Sequence, residues 1–361
     1  MINFKNFTVD NGAIRDLSEL LFLSTFNDPD LEVVCTTETG VYDGKKLGYI
    51  DSLGDVGKNA SGCSPTYENI NVTGIEKTWE LGDYQIPLKI CYDDLENTIA
   101  KYSLNTGTDR DEIIGTAYWN DIVIPLLTRA MQEMLWRIAW FGDKDAKNIA
   151  DSGLLTAGIN KNLFTMADGF WKRLKAITTA NAHQLTSIAA NVEKDSSTTP
   201  KVTYATQKAA IRKEGVATDI VDTMLSDADS RIFDKPDHAI FMTNSLFKAL
   251  RNDVKRLHNL QLELTMVTSG IQLSMYDGHP VVVCDIWDRM IKKYEDNGTS
   301  LNCPHRALVT SASNLFIGTS DTDAIAKTDI TFDHVTRLNH IYAASKIGTL
   351  IGEDDLVQVA F

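Results

Sequence analysis

The chain has 361 residues, 43% hydrophobic and 23% charged, an ordinary balance for a soluble globular protein of two or three domains. Its 35 Lys and Arg residues stand against 49 Asp and Glu residues, so the formal net charge is −14. This excess of acid disfavours non-specific binding to nucleic acid or to an anionic membrane surface, unless basic residues cluster locally.

Three further features of the sequence concern its compartment. The N-terminus, MINFKNFTVDNG, lacks a basic segment followed by an apolar one, so we expect no secretory signal. No apolar run approaches the roughly 18 residues of a transmembrane helix. The cysteines are odd in number, widely spaced and without a CxxC pair, which favours reduced thiols in a cytosolic setting. They are Cys35, Cys63, Cys91, Cys284 and Cys303.

The first 30 residues form a predicted arm with one short amphipathic helix. Leu17, Leu20, Leu21 and Phe22 lie among polar neighbours, and the Asn-Asp-Pro sequence at 27–29 ends the pattern. A segment with so little apolar content needs another surface to pack on. That surface belongs either to the same chain or to another subunit.

Residues 31–78 alternate short β-prone pieces with frequent glycines, at 40, 44, 48, 54, 57, 62 and 74. The segment is too long for an ordinary loop and too rich in glycine for a compact core. The pattern predicts an extended two-stranded excursion. A two-stranded ribbon is marginally stable alone, so we expect it to lie on a further surface.

A strand and a long helix follow. Polar and apolar residues alternate over 79–91 with a break at residues 82 and 83, which predicts a strand with a turn or bulge. Residues 109–141 show the longest helical pattern, about 45 Å at full length. Pro125 removes one backbone hydrogen bond and is expected to kink this helix. The polar face of this helix is narrow, so another chain could cover part of its apolar surface.

The remainder alternates helices and strands. We expect helices over 170–180, over 207–233 and around Leu246–Leu257, and strands over 238–242, 306–310 and 314–318. Residues 274–284 predict a hairpin around Asp277-Gly278, with Pro280 in its second strand. Residues 330–361 are strand-like throughout. The order indicates an α/β or α+β protein.

A search for chemistry finds no pattern that stands out from ordinary structural use. The Gly-Lys segments at 40–46 and 54–59 lack the spacing of a phosphate loop, and neither HExxH nor GxSxG occurs. Cys303 and His305 have no second pair of metal ligands nearby in the sequence. We therefore expect no catalytic, cofactor or metal site.

In this order, the elements resemble the major capsid proteins of tailed bacteriophages, the Hong-Kong-97-type capsid fold. The closest parallels are the long helix at 109–141, the Asp-Gly-His-Pro-Val-Val run at 277–282, the Asn-Leu-Phe-Ile-Gly run at 314–318 and the closing strands. The resemblance implies an α+β fold with an N-terminal arm (1–30), an extended E-loop region (31–78), a P-domain (79–165 and 322–361) with a spine helix at about 109–141, and an inserted A-domain (166–321).

The resemblance also implies a function: a shell subunit that self-assembles into pentamers and hexamers of an icosahedral phage head around double-stranded DNA. Its partners would be further copies, portal, scaffold and decoration proteins, and DNA bound without sequence specificity. It would act in the virion after assembly in the host bacterial cytoplasm. The implied sites are E-loop contacts at Tyr49, Tyr67, Ile70 and Trp79, a spine-helix pivot at Pro125, and an A-domain hairpin at Asp277, Gly278 and Pro280.

Two alternatives remain open at this point. One is an encapsulin-type bacterial compartment shell of the same fold, which neighbouring genes would distinguish from a phage capsid. The other is an uncharacterised α/β enzyme, which would show a pocket with perturbed titratable residues. Some capsid proteins of this type also cross-link an E-loop lysine to a neighbour; Lys45, Lys46 and Lys58 lie in the region, but no sequence pattern supports that chemistry.

Overall fold

The structure is a computed structural model, and it describes residues 29–52, 73–91, 124–192, 202–259, 261–266, 271–320, 328–333 and 338–361. Its strands form a seven-stranded sheet, a five-stranded sheet and a separate two-stranded ribbon. The predicted arm up to residue 28, the first part of the predicted spine helix, Tyr67 and Ile70 lie outside the described residues.

The helices and strands have the following bounds. The helices are α1 (Pro29–Glu32), α2 (Ile124–Phe141), α3 (Phe170–Ala180), α4 (Tyr204–Ile211), α5 (Val216–Asp227), α6 (Ser230–Phe233), α7 (Asn244–His258) and α8 (Asp285–Tyr294). The strands are β1 (Thr36–Glu38), β2 (Lys46–Ser52), β3 (Thr73–Thr78), β4 (Gly82–Cys91), β5 (Leu185–Thr186), β6 (His238–Met242), β7 (Thr265–Met266), β8 (Ile271–Tyr276), β9 (His279–Cys284), β10 (Ala307–Ser311), β11 (Leu315–Thr319), β12 (Thr328–Asp333), β13 (Leu338–Ile351) and β14 (Gln358–Ala360).

The seven-stranded sheet has the order β5-β14-β10-β6-β9-β8-β7. Strands β6 and β9 are parallel neighbours, and β10 pairs antiparallel with both β6 and β14. The predicted hairpin is present: β8 and β9 pair antiparallel on either side of Asp277 and Gly278. Both residues have positive φ, +48° and +81°, as a tight two-residue turn requires.

Helices cover this sheet on both faces. Phe241, Val282 and Leu308 point to one face, where they join a core with Trp140 of α2 and Trp287 of α8. Their sequence neighbours point to the opposite face and pack with residues of α4, α5 and α7, among them Ile240, Val281 and Val309. Consecutive residues of the central strands are therefore buried on both sides, which explains their unbroken apolar runs.

The five-stranded sheet is built around β13. This strand pairs antiparallel with β4 over residues 338–347, with β12 over 338–343 and with β11 over 347–351. Strand β1 adds to β11 in parallel. Ile341, Ala343 and Ile347 belong to the same buried core as Trp140, so one core joins the two sheets.

Helix α2 is the described part of the predicted spine helix, and it ends where the sequence places Gly142. The Gly142 amide closes the last turn by donating to the Ile138 carbonyl at 3.0 Å. A Cβ at Gly142 would lie 2.5 Å from that same carbonyl oxygen, so only glycine fits. Pro125 lies at the start of the described part of this helix. Its role as a pivot stays a prediction.

Two helix predictions need correction. The single helix expected over 207–233 is wrong, because the chain forms α4, α5 and α6 there. The break before α5 occurs at Gly215, whose φ of +81° is incompatible with a continuous helix. Helix α8 was not expected, although its apolar residues Ile286, Trp287, Met290 and Ile291 follow helical spacing and are all buried.

The sheets also divide the chain differently from the implied domains. Strand β11, within the implied A-domain range, pairs with β13 of the five-stranded sheet. Strand β14, within the implied P-domain range, pairs with β10 and β5 of the seven-stranded sheet. Residues at the start of the implied E-loop region, such as Leu31 and Val34, are buried in the core. Within the described residues, the extended part of that region is therefore the ribbon of β2 and β3.

Two of the described thiols are shielded from solvent, and the expectation of a reducing compartment stays a prediction. Cys35 and Cys303 are free, and burial raises the pKa of both thiols. In the described ranges no helix is both long and apolar enough to cross a bilayer.

Candidate functional site: an exposed ribbon and a surface groove

The ribbon consists of β2 and β3, which pair antiparallel with one register irregularity between Ile50 and Ser52. Tyr49 lies in β2 and pairs with Ile75, so the backbone places it in the ribbon as expected. On one face, Lys46, Gly48, Glu76 and Thr78 are exposed, whereas Leu47 and Lys77 on the other face are half-buried. The ribbon thus presents an uncovered face to its surroundings.

The base of the ribbon is held by Trp79, whose ring is fully buried. It packs with Val41 and Leu350, and a Cβ at Gly318 would lie 2.6 Å from the ring. The Trp79 amide donates to the Lys45 carbonyl at 2.9 Å. The prediction that Trp79 contacts a neighbouring subunit is therefore wrong for this conformation, because its own chain surrounds the side chain.

Two ion pairs involve the ribbon, one within it and one that joins it to the rest of the chain. Lys46 and Glu76 pair across the exposed face, with Nζ 2.9 Å from Oε1. Lys77 on the half-buried face reaches Asp354, with Nζ 2.5 Å from Oδ2, and so connects the ribbon to the segment before β14. Exposed pairs of this kind each contribute only about 0–1 kcal/mol. They favour one orientation of the ribbon relative to the rest of the chain, but they do not make it rigid.

A groove of about 780 Å³ runs between the β4–β13 pair and residues 160–166. Tyr342 lies in it with 44% of its surface exposed, and its hydroxyl lies 3.3 Å from the Gln85 amide oxygen. Asp83 and Lys346 line the same groove and form an ion pair at 3.4 Å. The groove therefore combines an exposed aromatic ring with both signs of charge, a composition suited to a protein partner.

Sequence reasoning did not identify the groove residues. Every second residue of β13 around Tyr342 is at least partly exposed. The sequence of residues 338–347 alternates only partly, since Tyr342 and Ala344 on the open side are apolar and Ser345 on the covered side is polar, so it was a weak signal for one open sheet face. The other wall, from Asn160 to Met166, is brought alongside only by the tertiary fold.

The hairpin tip consists of Met275, Asp277, Gly278 and Pro280. Met275 is 60% exposed and pairs in register with Pro280, beside the turn. The Tyr276 hydroxyl donates to Asp222 at 2.7 Å, which ties the hairpin to α5. Burial together with this bond raises the pKa of Tyr276. The hairpin is confirmed; what its tip contacts stays a prediction.

Three carboxylates surround the ammonium group of Lys172, which occupies the position that a bound cation would need. Its Nζ lies 2.5 Å from Asp143, 2.8 Å from Asp168 and 2.9 Å from Asp145. Burial acts to lower the pKa of Lys172, but the hydrogen bonds to these carboxylates raise it above its ordinary value. Within the described ranges, no group of three or more His, Cys, Asp or Glu residues could hold a metal ion.

The fold was compared with solved structures. A chain of the satellite phage P4 procapsid structure that includes the size determination (Sid) protein aligns with a TM-score of 0.51 at 11% identity. The alignment covers 95% of this chain and 98% of that chain. The chain has a phage capsid fold. This comparison confirms the fold that was predicted from the order of elements. The ribbon and the groove are therefore parts of a capsid fold.

Two further solved structures align over most of the chain. The capsid of the native GTA particle aligns at 10% identity with a TM-score of 0.44, over 92% of this chain and 90% of that chain. Mycobacterium phage Ogopogo aligns at 12% identity with a TM-score of 0.47, over 91% and 90%. No family model and no curated protein matches the sequence significantly.

Proposed function

We propose that the protein is a major capsid protein, a shell subunit that assembles with its own copies into the hexamers and pentamers of an icosahedral phage head. The capsid fold over 95% of the chain is the observation that carries this proposal. The exposed face of the ribbon supports it, since an isolated two-stranded ribbon is marginally stable and gains from lying on another subunit.

In this proposal the ribbon of one subunit lies over the groove of its neighbour. Tyr49, together with Tyr67 and Ile70 of the segment between the strands, supplies apolar contacts. Burying the remaining exposed surface of Tyr342 contributes on the order of 1 kcal/mol per contact. A contact of that size is reversible in one pair of subunits, but it is repeated at every subunit of a closed shell.

The remaining predicted sites take roles in the same assembly. The hairpin tip at Asp277, Gly278 and Pro280 lies near a symmetry axis, and Pro125 lets the spine helix adapt to different subunit curvatures. Portal, scaffold and decoration proteins bind the assembled lattice, and the shell encloses double-stranded DNA without reading its sequence. The net charge of −14 fits an enclosure that does not hold its contents tightly. Assembly takes place in the host bacterial cytoplasm.

The two alternatives make different predictions. An encapsulin-type shell would be encoded beside a cargo enzyme, whereas a phage capsid gene lies beside terminase and portal genes. The enzyme alternative requires a pocket with a catalytic constellation. One cavity of about 520 Å³ meets the first condition, because Asp288 and His305 line it and burial raises the pKa of Asp288 to about 6 and lowers the pKa of His305 to about 4. His305 Nδ1 lies 2.9 Å from the Ser245 hydroxyl, which also donates to the Pro304 carbonyl, and Asp288 accepts the backbone amides of Asn244 and Ser245. These bonds hold the start of α7, so the structural role accounts for them.

The proposal is tested by assembly of the purified full chain. We expect closed particles in negative-stain images and a matching fast-sedimenting species in analytical ultracentrifugation. Tyr342→Ala should reduce the yield of particles at least tenfold while leaving the circular dichroism spectrum unchanged. Tyr204→Ala is the matched control, because Tyr204 has nearly the same exposure, 42% against 44%, and lies away from the groove on α4.

Two outcomes would overturn the proposal. One is a protein that stays monomeric at high concentration with an ordered ribbon. The other is equal loss of particles in the Tyr342 and Tyr204 variants, which would show that the groove has no particular role in assembly.

A further inference from the structure

Two histidines lie side by side at the ends of two central strands of the seven-stranded sheet. His238 and His279 are the first residues of the parallel strands β6 and β9. The register pairs Ile240 with Val281, two residues further along each strand, so the histidines are lateral neighbours on one face. Both are half-buried, and rigid strands of the core hold both backbones.

The nearest nitrogens of the two rings, Nε2 of His238 and Nδ1 of His279, lie 3.3 Å apart. With a proton on His279 Nδ1 this is a long hydrogen bond to His238 Nε2, and with that proton on His279 Nε2 both nitrogens present lone pairs. Two imidazole nitrogens bound to one tetrahedral zinc ion, each at about 2.05 Å, lie about 3.3 Å apart. Ligands at right angles on the same ion would lie about 2.9 Å apart. The spacing therefore matches tetrahedral coordination.

A backbone carbonyl sets the proton position of one ring. His238 Nδ1 lies 2.6 Å from the carbonyl oxygen of Lys235. A carbonyl oxygen only accepts, so Nδ1 carries the proton and the Nε2 lone pair faces His279. A metal-binding histidine usually donates its other ring N–H to such an acceptor, which orients the ring and fixes its tautomer.

Phe233 restricts the second ring. It contacts His279 with ring centroids 4.7 Å apart and His238 with centroids 5.8 Å apart. Both imidazoles are therefore oriented by neighbours that would not change on metal binding. With neutral rings, binding requires only that the His279 proton resides on Nε2, so no proton is released.

We propose that His238 and His279 form a two-histidine site for a tetrahedral divalent cation, with Zn²⁺ as the preferred ion. Since no third protein ligand is present among the described residues, the other two positions are taken by water or by a group from outside the chain. The site does not depend on the proposed shell function. It would tie together the starts of two core strands.

Isothermal titration of the purified full chain with ZnCl₂, in a non-chelating reductant, tests the site. We expect one Zn²⁺ bound per chain. His238→Gln and His279→Gln should each weaken binding at least tenfold. His183→Gln is the matched control, because that histidine is exposed and lies far along the chain in a short helical turn, and it should bind as the wild type does.

Cobalt provides a second measurement that an unfolded variant cannot imitate. Co²⁺ bound at the pair should show the intense visible absorption of tetrahedral cobalt, and either glutamine variant should abolish it. Circular dichroism verifies that the variants remain folded. The proposal is overturned if Zn²⁺ does not bind, if the glutamine variants bind as tightly as the wild type, or if Co²⁺ shows only the weak absorption of octahedral coordination.

Discussion

The seven-stranded sheet and the ribbon are built in opposite ways. The sheet is covered on both faces by helices of its own chain, and its central strands are almost fully buried. The ribbon has only two strands, leaves one face exposed and is anchored at its base. The difference indicates that the buried contacts that stabilise the fold are concentrated around the sheet, whereas the ribbon keeps exposed surface, which in the proposed shell would contact another subunit.

The largest expected effect on stability comes from a substitution in the core that covers the seven-stranded sheet. Trp287 is fully buried, with its ring centroid 4.4 Å from that of Trp140 and 4.9 Å from that of Trp171. Trp287→Ala removes these contacts and leaves a cavity, so we expect the free energy of unfolding to fall by about 3–5 kcal/mol. Urea denaturation measures the loss.

Trp287→Phe is the control for that change. It keeps an apolar ring and removes an indole N–H that has no hydrogen-bond partner, so its cost should be much smaller. If the alanine variant lost less than about 1 kcal/mol, folding free energy would not be concentrated around this sheet.

The base of the ribbon provides an intermediate effect. Gly318→Ala places a Cβ 2.6 Å from the buried Trp79 ring, and we expect a loss of about 1–3 kcal/mol from overpacking. Gly48→Ala in β2 is the matched control, because no heavy atom lies within 4 Å of the position that its new Cβ would take and φ is not positive. Hydrogen exchange of β2 and β3 should accelerate in the first variant only. Equal exchange in both would mean that Trp79 does not anchor the ribbon.

The smallest expected effect is a pH dependence of the unfolding free energy, and it arises from Asp288 of helix α8. Burial raises the pKa of Asp288 to about 6, although the carboxylate accepts the amides of Asn244 and Ser245 at 2.6 and 3.0 Å. The unfolded value is near 4, so the folded state holds its proton more tightly. The resulting stability is present below about pH 4 and is lost as pH rises through about 6.

Asp288→Asn should remove this dependence. The unfolding free energy of the wild type relative to the variant should fall by up to about 2 kcal/mol between pH 4 and pH 6. Urea denaturation at several pH values provides the comparison. A constant difference across that range would show that Asp288 ionises as an exposed aspartate does.

Local patterns in the sequence predicted several elements well. Residues 170–180 and 238–242 form the expected helix and strand with the expected bounds, and the Asp277-Gly278 turn is where the pattern places it. In each case the deciding information lies within a few residues. Helix α8 was missed because it follows the apolar strand β9 without a capping residue: its N-cap position is Cys284, with no side-chain cap hydrogen bond.

The contacts between distant segments could not be predicted in the same way. An alternating strand pattern predicts that the Trp79 side chain is buried, but it does not show whether the same chain or a neighbouring subunit covers it. Strand β14 pairs with β10 and β5, rather than with the strand that precedes it, because sheet membership depends on tertiary packing. The ribbon itself was predictable, since its glycines and short β-prone pieces are local features.

Strand β13 has a consequence for the order in which the molecule forms. Strands β4, β11 and β12 each pair with β13, and within the described part of the chain no pairing joins any two of these three strands directly. The pairing of β4 with β13 joins residues 82–91 to residues 338–347, which are far apart in the sequence. Pairings between such distant segments are slow, so we expect the five-stranded sheet to close late in folding, as one concerted step.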